Sequence, residues 1–146
     1  MTLALQDSTL LHTQALVAGE WIDADDGATL EVYNPATSAL VAHVAKVGAA
    51  ETRRAIEAAD AAMTSWRDVP AKEKARVLRR WFDLVMANQE DLAHIMTAEQ
   101  GKTLAESRSE VAYGASYIEW FAEQAKRVEG DVIPAPSQDH RIVCLK

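Results

Sequence analysis

The stretch from residue 103 to about 127 constrains this chain most, because it predicts one long helix that is apolar on two sides. It begins with Thr-Leu-Ala-Glu at 103–106, a capping box in which the threonine oxygen and the glutamate carboxylate satisfy free backbone N–H groups. Gly130 follows its predicted end. A helix with two apolar stripes needs partners on both sides. The stripes are Leu104, Val111, Ala115, Ile118, Ala122 and Ala125, and Tyr113, Tyr117, Trp120 and Phe121.

Three further helices are predicted upstream, so residues 49–127 are helical. The first spans about 49–65, the second starts at Pro70, and the third starts at Asn88 as N-cap and closes at Gly101. Their apolar stripes are Ile56, Ala59, Met63 and Trp66; Ala75, Leu78, Phe82, Val85 and Met86; and Leu92, Ile95 and Met96. The polar face of the second helix is basic and is interpreted as a solvated surface balanced by Glu73 and Asp83.

Short alternating runs flank the helices. Residues 15–22 read as a strand pair that turns near Gly19, and the runs 29–33 and 40–47 follow after turn residues; together they predict a small antiparallel sheet. Residues 1–14 form an N-terminal arm. Near the other end, two prolines exclude a helix and residues 141–146 read as a strand without a partner, which we interpret as a truncation. The chain is therefore predicted to be α+β.

Size and charge exclude several classes of protein. The 146 residues allow one domain, and no apolar run approaches the roughly 18 residues of a membrane span. A net charge of −7 argues against nucleic-acid binding, which needs a basic footprint. The single cysteine cannot form an internal disulfide and no signal peptide is evident, so the cytoplasm is the expected location.

The sequence lacks the usual catalytic constellations. None of its six glycines forms a phosphate-binding motif, and its four histidines lie too far apart to predict a metal site. Cys144 lies between two aliphatic residues and is expected to be an inert, packed thiol. We expect His94 to be a satisfied or exposed side chain and Lys102 a solvated charge or a carbonyl cap. We therefore predict no catalytic, cofactor-binding or metal-binding residue.

Three segments stand in an order and spacing typical of one enzyme family. They read Val-Ala-Gly-Glu-Trp at 17–21, Val-Tyr-Asn-Pro-Ala-Thr at 32–37, and Ala-Glu-Gln-Gly-Lys-Thr-Leu-Ala-Glu at 98–106. Together they resemble the amino-terminal part of NAD(P)-dependent aldehyde dehydrogenases. The segment 116–128, followed by Gly130, is most similar to the succinate-semialdehyde dehydrogenase branch. The resemblance covers nearly the whole chain from about residue 15.

The resemblance implies an aldehyde dehydrogenase-like α/β fold for the intact enzyme. Residues 15–130 would be the first part of its cofactor-binding domain, and residues 131–146 the start of an oligomerisation hairpin. The implied chemistry is covalent: a cysteine thiolate adds to the aldehyde, hydride passes to the nicotinamide, and water activated by a glutamate releases the acid. The catalytic cysteine and glutamate of the family lie beyond the segment that this chain resembles. The 146-residue chain alone is accordingly expected to be inactive and to bind no cofactor tightly.

The implied partners are the remainder of the dehydrogenase chain, further copies in a homo-oligomer, and a small aldehyde; the cofactor would be NAD or NADP. Tyr113 matches a position that faces the aldehyde entry route in relatives, and Tyr117, one turn further, would share that wall. From the residues alone, ordinary core packing of this aromatic stripe is the first expectation.

Two other hypotheses remain at this stage. One is a non-catalytic helical interaction module that docks through the aromatic face of the 103–127 helix. The other is a small acid–base enzyme built on His94 and Glu99, for which the sequence names no residue to orient the histidine.

Overall fold

The computed structural model describes residues 3–145. In these residues the chain forms a 3₁₀ turn, six short strands and four helices, which agrees with the α+β prediction. In chain order they are the 3₁₀ turn Ser8–Leu10, β1 Ala15–Val17, β2 Glu20–Ile22, β3 Thr29–Tyr33, β4 Leu40–Ala45, α1 Ala49–Asp68, α2 Ala71–Ala87, α3 Gln89–Gln100, α4 Leu104–Gln124, β5 Asp131–Ile133 and β6 Ile142–Cys144.

The first four strands form two antiparallel hairpins rather than one sheet. β1 pairs with β2 and β3 pairs with β4. The hairpins turn where the sequence places Gly19 and the Asn34-Pro35 pair. The segment just before β1 reaches the second hairpin, because the Ala45 N–H donates to the Thr13 carbonyl at 2.7 Å.

The helical core is built from small residues. α4 packs on α2 and α3 through its first stripe, in which Val111, Ala115 and Ala122 are buried. Ala93 and Ala98 of α3 are also buried, so the helix backbones approach closely. Ser107 is fully buried and satisfies its hydroxyl on Thr97, at 2.8 Å between the two oxygens.

The predicted helix ends are largely confirmed. Thr103 and Glu106 form the capping box of α4, and Gly101 closes α3 with a left-handed φ of 74°. Asn88 stands at the α3 N-cap position, but its side chain makes no cap hydrogen bond there and donates instead to the Leu84 carbonyl of α2. α4 ends at Gln124, slightly before the predicted boundary.

Helix α1 departs from the expectation of a packed stripe. It continues to Asp68, and Ile56, Met63 and Trp66 remain exposed. The helix is fixed at its start, where the buried Glu51 carboxylate accepts the N–H groups of Asp25 and Gly48 at 2.8 and 3.0 Å. The apolar side of α1 therefore has no cover from the described residues along much of its length.

The expectation of an unpartnered C-terminal strand is wrong. β6 pairs with β5 in an antiparallel hairpin whose register places Asp131 opposite Cys144 and Ile133 opposite Ile142. Residues 131–133 were missed because three residues before a proline carry too little pattern. Met1 and Thr2 of the predicted arm and Lys146 of the predicted strand lie outside the described residues.

Candidate functional site

The strongest candidate site is the aromatic face of α4. Positions 113, 117, 120 and 121 fall on one side of a helix, because residues three and four apart are neighbours on its surface. The four side chains are between 50 and 62% exposed, whereas the opposite face is buried against α2 and α3. The expectation that this stripe is core packing is therefore wrong for the described chain.

Tyr113 and Tyr117 form a defined pair on this face. Their rings meet edge to face, with centroids 5.0 Å apart and an interplanar angle of 90°. Their hydroxyl groups are hydrogen-bonded to each other. This hydrogen bond raises the pKa of Tyr117 above the ordinary value of a tyrosine. One hydroxyl of the pair keeps its own proton free to donate to a further acceptor.

An open groove of about 540 Å³ runs over this face. Its wall consists of Tyr113, Ser116, Tyr117, Glu119, Trp120, Phe121 and Glu123. Glu119 is held by Arg79 of α2, with 2.7 Å between the carboxylate and the guanidinium. The Ser116 hydroxyl donates to the Tyr113 carbonyl at 2.7 Å and is therefore engaged with its own helix. The groove offers apolar and aromatic contact with a few polar groups, which suits ligand binding rather than bond cleavage.

The described residues do not fit a dinucleotide phosphate. Such groups bind at helix N-termini with free N–H donors. At the start of α1 the Glu51 carboxylate already accepts the Gly48 N–H, and at the start of α4 Glu106 accepts the Thr103 N–H at 3.0 Å. α2 carries Glu73 and α3 carries Glu90 and Asp91 in the first turn. A phosphate would meet a carboxylate at each of these helix starts.

The structure shows the surroundings of Cys144, Lys102 and His94, the three residues that the sequence analysis considered as reactive groups. Cys144 is exposed on β6, so the expectation that it is packed is wrong. The Lys102 ammonium pairs with Glu110 of α4, which corrects the expectation of a solvated charge or carbonyl cap. His94 is half-buried, and its Nε2 lies 3.4 Å from Glu90.

That glutamate does supply a partner for His94, yet it is committed elsewhere. Both Glu90 oxygens accept from Arg108, at 2.6 and 2.7 Å, and this bonding lowers the pKa of Glu90. A carboxylate engaged in this way is a weak orienting group for a general base. The acid–base hypothesis built on His94 therefore gains no support from the geometry.

A serine, a histidine and an aspartate come together in the β5–β6 loop, which the sequence analysis did not single out. The Ser137 hydroxyl and the Asp139 carboxylate lie 2.8 and 2.9 Å from the same atom, Nδ1 of His140. A hydrolytic triad needs serine on one ring nitrogen and aspartate on the other. This cluster is a loop hydrogen-bond network; the bonds from Ser137 and His140 lower the pKa of Asp139.

The described residues form neither a metal-ion cluster nor a membrane-spanning helix. Within residues 3–145, no group of three or more His, Cys, Asp or Glu side chains is arranged to hold a metal ion. No helix in the same part of the chain combines the length and apolar character needed to cross a bilayer.

Comparison with known proteins supplies the missing context. Residues 21–146 match the model of the aldehyde dehydrogenase family. The chain is 56% identical over 144 residues to the glutarate-semialdehyde dehydrogenase of Pseudomonas aeruginosa. It is 51% identical over 144 residues to the NADP⁺ succinate-semialdehyde dehydrogenase of Escherichia coli. Both alignments cover 99% of this chain, which spans 30% of the length of each relative.

The fold agrees with the sequence match. A crystal structure of an aldehyde dehydrogenase from Brucella melitensis biovar abortus superposes with a TM-score of 0.94 at 53% identity. The superposition covers 97% of this chain and 29% of that chain. The arrangement of hairpins and helices described above is thus also found as part of a much larger solved protein.

Proposed function

This chain belongs to the aldehyde dehydrogenase family, and from that premise we propose that it is the amino-terminal part of a semialdehyde dehydrogenase. The intact enzyme would oxidise a short aldehyde bearing a distal carboxylate, with NAD or NADP as hydride acceptor and water as the source of the second carboxylate oxygen. The observation that carries this proposal is the 51–56% identity, along nearly the whole chain, to two enzymes named for such aldehydes.

Succinate semialdehyde is the substrate implied by the resemblance. Glutarate semialdehyde is a second candidate, because one of the similar enzymes is named for it. The two aldehydes differ by one methylene, which an apolar contact surface distinguishes only weakly, by about 1–3 kcal/mol. We therefore assign this chain to the class of aldehydes that both names share.

The aromatic face of α4 is the part of this chain that we assign to the substrate. Tyr113 and Tyr117 would form one wall of the aldehyde tunnel, with their rings against the methylene groups. Support comes from their exposure, their fixed edge-to-face geometry and the groove that they border. The charged side chains of the groove wall are Glu119, which Arg79 already pairs, and Glu123, so the distal carboxylate would be held by other parts of the enzyme.

The rest of the catalytic machinery is assigned outside this chain. Among the described residues, Ser137 is paired with His140, but Asp139 lies on the same ring nitrogen, so the arrangement is not that of a hydrolytic triad. The helix starts of the same residues do not fit a nucleotide phosphate, so we derive no catalytic step from them. We further propose that the remainder of the dehydrogenase chain covers α4, that the enzyme is a homo-oligomer joined in part through the β5–β6 hairpin, and that it works in the cytoplasm.

A chimera tests the assignment. This chain would replace the aligned residues of the Escherichia coli succinate-semialdehyde dehydrogenase, and NADPH formation would be followed with both semialdehydes. We expect turnover in the chimera and none with the 146-residue chain alone. An inactive but folded chimera would contradict the proposal, and so would turnover by the chain alone that is lost in Cys144→Ser.

The same chimera tests the tunnel wall. Tyr113→Ala and Tyr117→Ala are expected to raise KM for the semialdehydes several-fold while leaving the KM for NADP⁺ unchanged. Tyr33→Ala is the matched control, because Tyr33 is a half-exposed tyrosine on β3, away from this face. Equal kinetics for all three variants would remove Tyr113 and Tyr117 from the substrate route.

The exposed aromatic face also supports a second candidate, the helical interaction module. It predicts that the chain alone is a cooperative monomer that captures a separate protein through α4. An active chimera in which those aromatic side chains are shielded from solvent would decide against it.

A further inference from the structure

A buried carboxylate on α3 holds the backbone of the N-terminal segment. Asp91 is only 5% exposed, and its two carboxylate oxygens accept the N–H groups of Gln6 and Asp7 at 3.0 and 2.8 Å. A buried carboxylate is tolerated when charge-assisted hydrogen bonds satisfy it. The proposed function above assigns no role to Asp91.

The same segment is fastened a second time, at its other end. The Thr13 carbonyl accepts the Ala45 N–H of β4 at 2.7 Å. Beside it the His12 ring stacks on Trp21 of β2, with centroids 3.7 Å apart and the planes inclined by 7°. These contacts bind residues 12 and 13 to both hairpins, whereas Gln6 and Asp7 are bound to the helical layer.

The stretch between the two fastenings is ordered by its own hydrogen bonds. Asp7 caps the 3₁₀ turn Ser8–Leu10 by accepting the Thr9 N–H at 2.9 Å. Leu10 and Leu11 are half-buried, so the turn also rests on the body of the protein. Both ends and the middle are therefore held in one conformation.

We propose that residues 6–13 form a strap that fastens the two N-terminal hairpins to α3, with Asp91 as the residue that holds it in place. Release of the strap would leave the Asp91 carboxylate buried without its donors, which is costly. The amides of Gln6 and Asp7 should therefore open together with the Asp91 contact rather than by independent fraying, as the end of a chain otherwise does.

Hydrogen exchange of the full chain tests the strap. Asp91→Asn replaces one acceptor oxygen with a donor NH₂ group, and we expect the Gln6 and Asp7 amides to exchange at least ten-fold faster than in the parent chain. Glu99→Gln is the matched control, because it makes the same type of change on an exposed residue of α3, and it should leave both rates unchanged.

A second variant removes a donor to the Asp91 carboxylate and leaves the carboxylate itself in place. Gln6→Pro removes one donated N–H without altering the buried carboxylate, and it should accelerate exchange at Asp7 while the amides of α3 stay protected. If Asp91→Asn fails to fold, this variant alone decides. Unchanged exchange at Asp7 in a folded Gln6→Pro chain, or at both amides in a folded Asp91→Asn chain, would overturn the proposal.

Discussion

At the scale of single residues, Gly101 shows how one position links the helical layer to a hairpin. Its φ of 74° is the left-handed conformation that ends α3, and a Cβ built there would lie 2.7 Å from Cγ of Pro35. The residue thus meets two requirements, a positive φ and a close approach to the β3–β4 turn.

Gly101→Ala is expected to lower the free energy of unfolding by about 2 kcal/mol, because alanine is strained at this φ and its methyl group displaces the proline ring. Urea denaturation measures the change. Gly27→Ala is the control, since Gly27 has a similar φ of 69° with nothing within 4 Å of its added Cβ. Equal losses in the two variants would show that the Pro35 contact is unimportant.

Glu51 provides a pH-dependent test at the same scale. Backbone hydrogen bonds, chiefly from the Asp25 N–H, lower the pKa of this carboxyl below its ordinary value. The unfolded chain therefore takes up a proton at a higher pH than the folded chain does. The stabilisation is present above the ordinary pKa and is lost as the pH falls through the lower, folded pKa.

We expect the parent chain to lose stability as the pH falls below about 4.5, the ordinary pKa of this side chain, and Glu51→Gln to show a flatter dependence there. The melting temperature measured from pH 7 to pH 3 gives both slopes. Glu57→Gln, an exposed change on the same helix, should keep the parent slope. A Glu51→Gln slope as steep as the parent's would contradict this account.

At the scale of elements, the capping box of α4 fixes where the aromatic face begins. The Thr103 hydroxyl accepts the Glu106 N–H at 3.2 Å, and the Glu106 carboxylate accepts the Thr103 N–H at 3.0 Å. These bonds keep the threonine and glutamate in register and lower the pKa of Glu106.

Thr103→Ala is expected to cost about 1 kcal/mol of unfolding free energy, the usual loss on removing an N-cap side chain. Chemical denaturation followed by circular dichroism measures it. The comparison variant is Ser109→Ala, which also deletes a hydroxyl from this region, but one that only donates back to the Ala105 carbonyl within the helix. A loss no greater than that of Ser109→Ala would show that the box is not stabilising.

The elements that could be predicted from the sequence are those whose signals are local. The capping box of α4, the glycine end of α3 and the strands β1 to β4 depend on neighbouring residues, and the structure confirms them. Asn88 stands at the N-cap position predicted for it, but its side-chain amide donates to the Leu84 carbonyl four residues earlier and does not cap α3. Asp91 contacts Gln6 and Asp7, which precede it by 85 and 84 positions in the sequence. No local sequence pattern reveals a contact at that separation.

The sequence predicts that the aromatic side chains of the candidate site share one helix face, but it does not predict that this face is exposed. The spacing of Tyr113, Tyr117, Trp120 and Phe121 identifies one helix face, and both packing and ligand contact are consistent with such spacing. Burial distinguishes the two interpretations, and burial depends on which elements the described chain supplies. The tyrosine pair likewise required coordinates, because only they show the edge-to-face geometry.

At the scale of the whole molecule, the exposed apolar surface is the dominant feature. Ile56 and Met63 on α1, Trp81 on α2, and the aromatic face of α4 all present large side chains to solvent. Large apolar side chains exposed in this number mark surfaces that another part of a protein covers. Their positions on three different helices agree with a chain that spans about 30% of the length of its relatives.

We therefore expect the isolated chain to bind the dye ANS, which fluoresces on exposed apolar surface. The triple variant Tyr117→Gln, Trp120→Gln, Phe121→Gln should reduce the ANS fluorescence by roughly half, because it removes one of the major exposed apolar faces. Glutamine is a good helix former, so circular dichroism should remain unchanged. The control replaces Ser109, an exposed polar residue of α4 outside the groove wall, with glutamine and should keep the parent signal. An undiminished signal in the triple variant would mean that the dye binds elsewhere. The aromatic face would then be protected in solution, for example by self-association, and its assignment as an open wall awaiting the rest of the enzyme would fail.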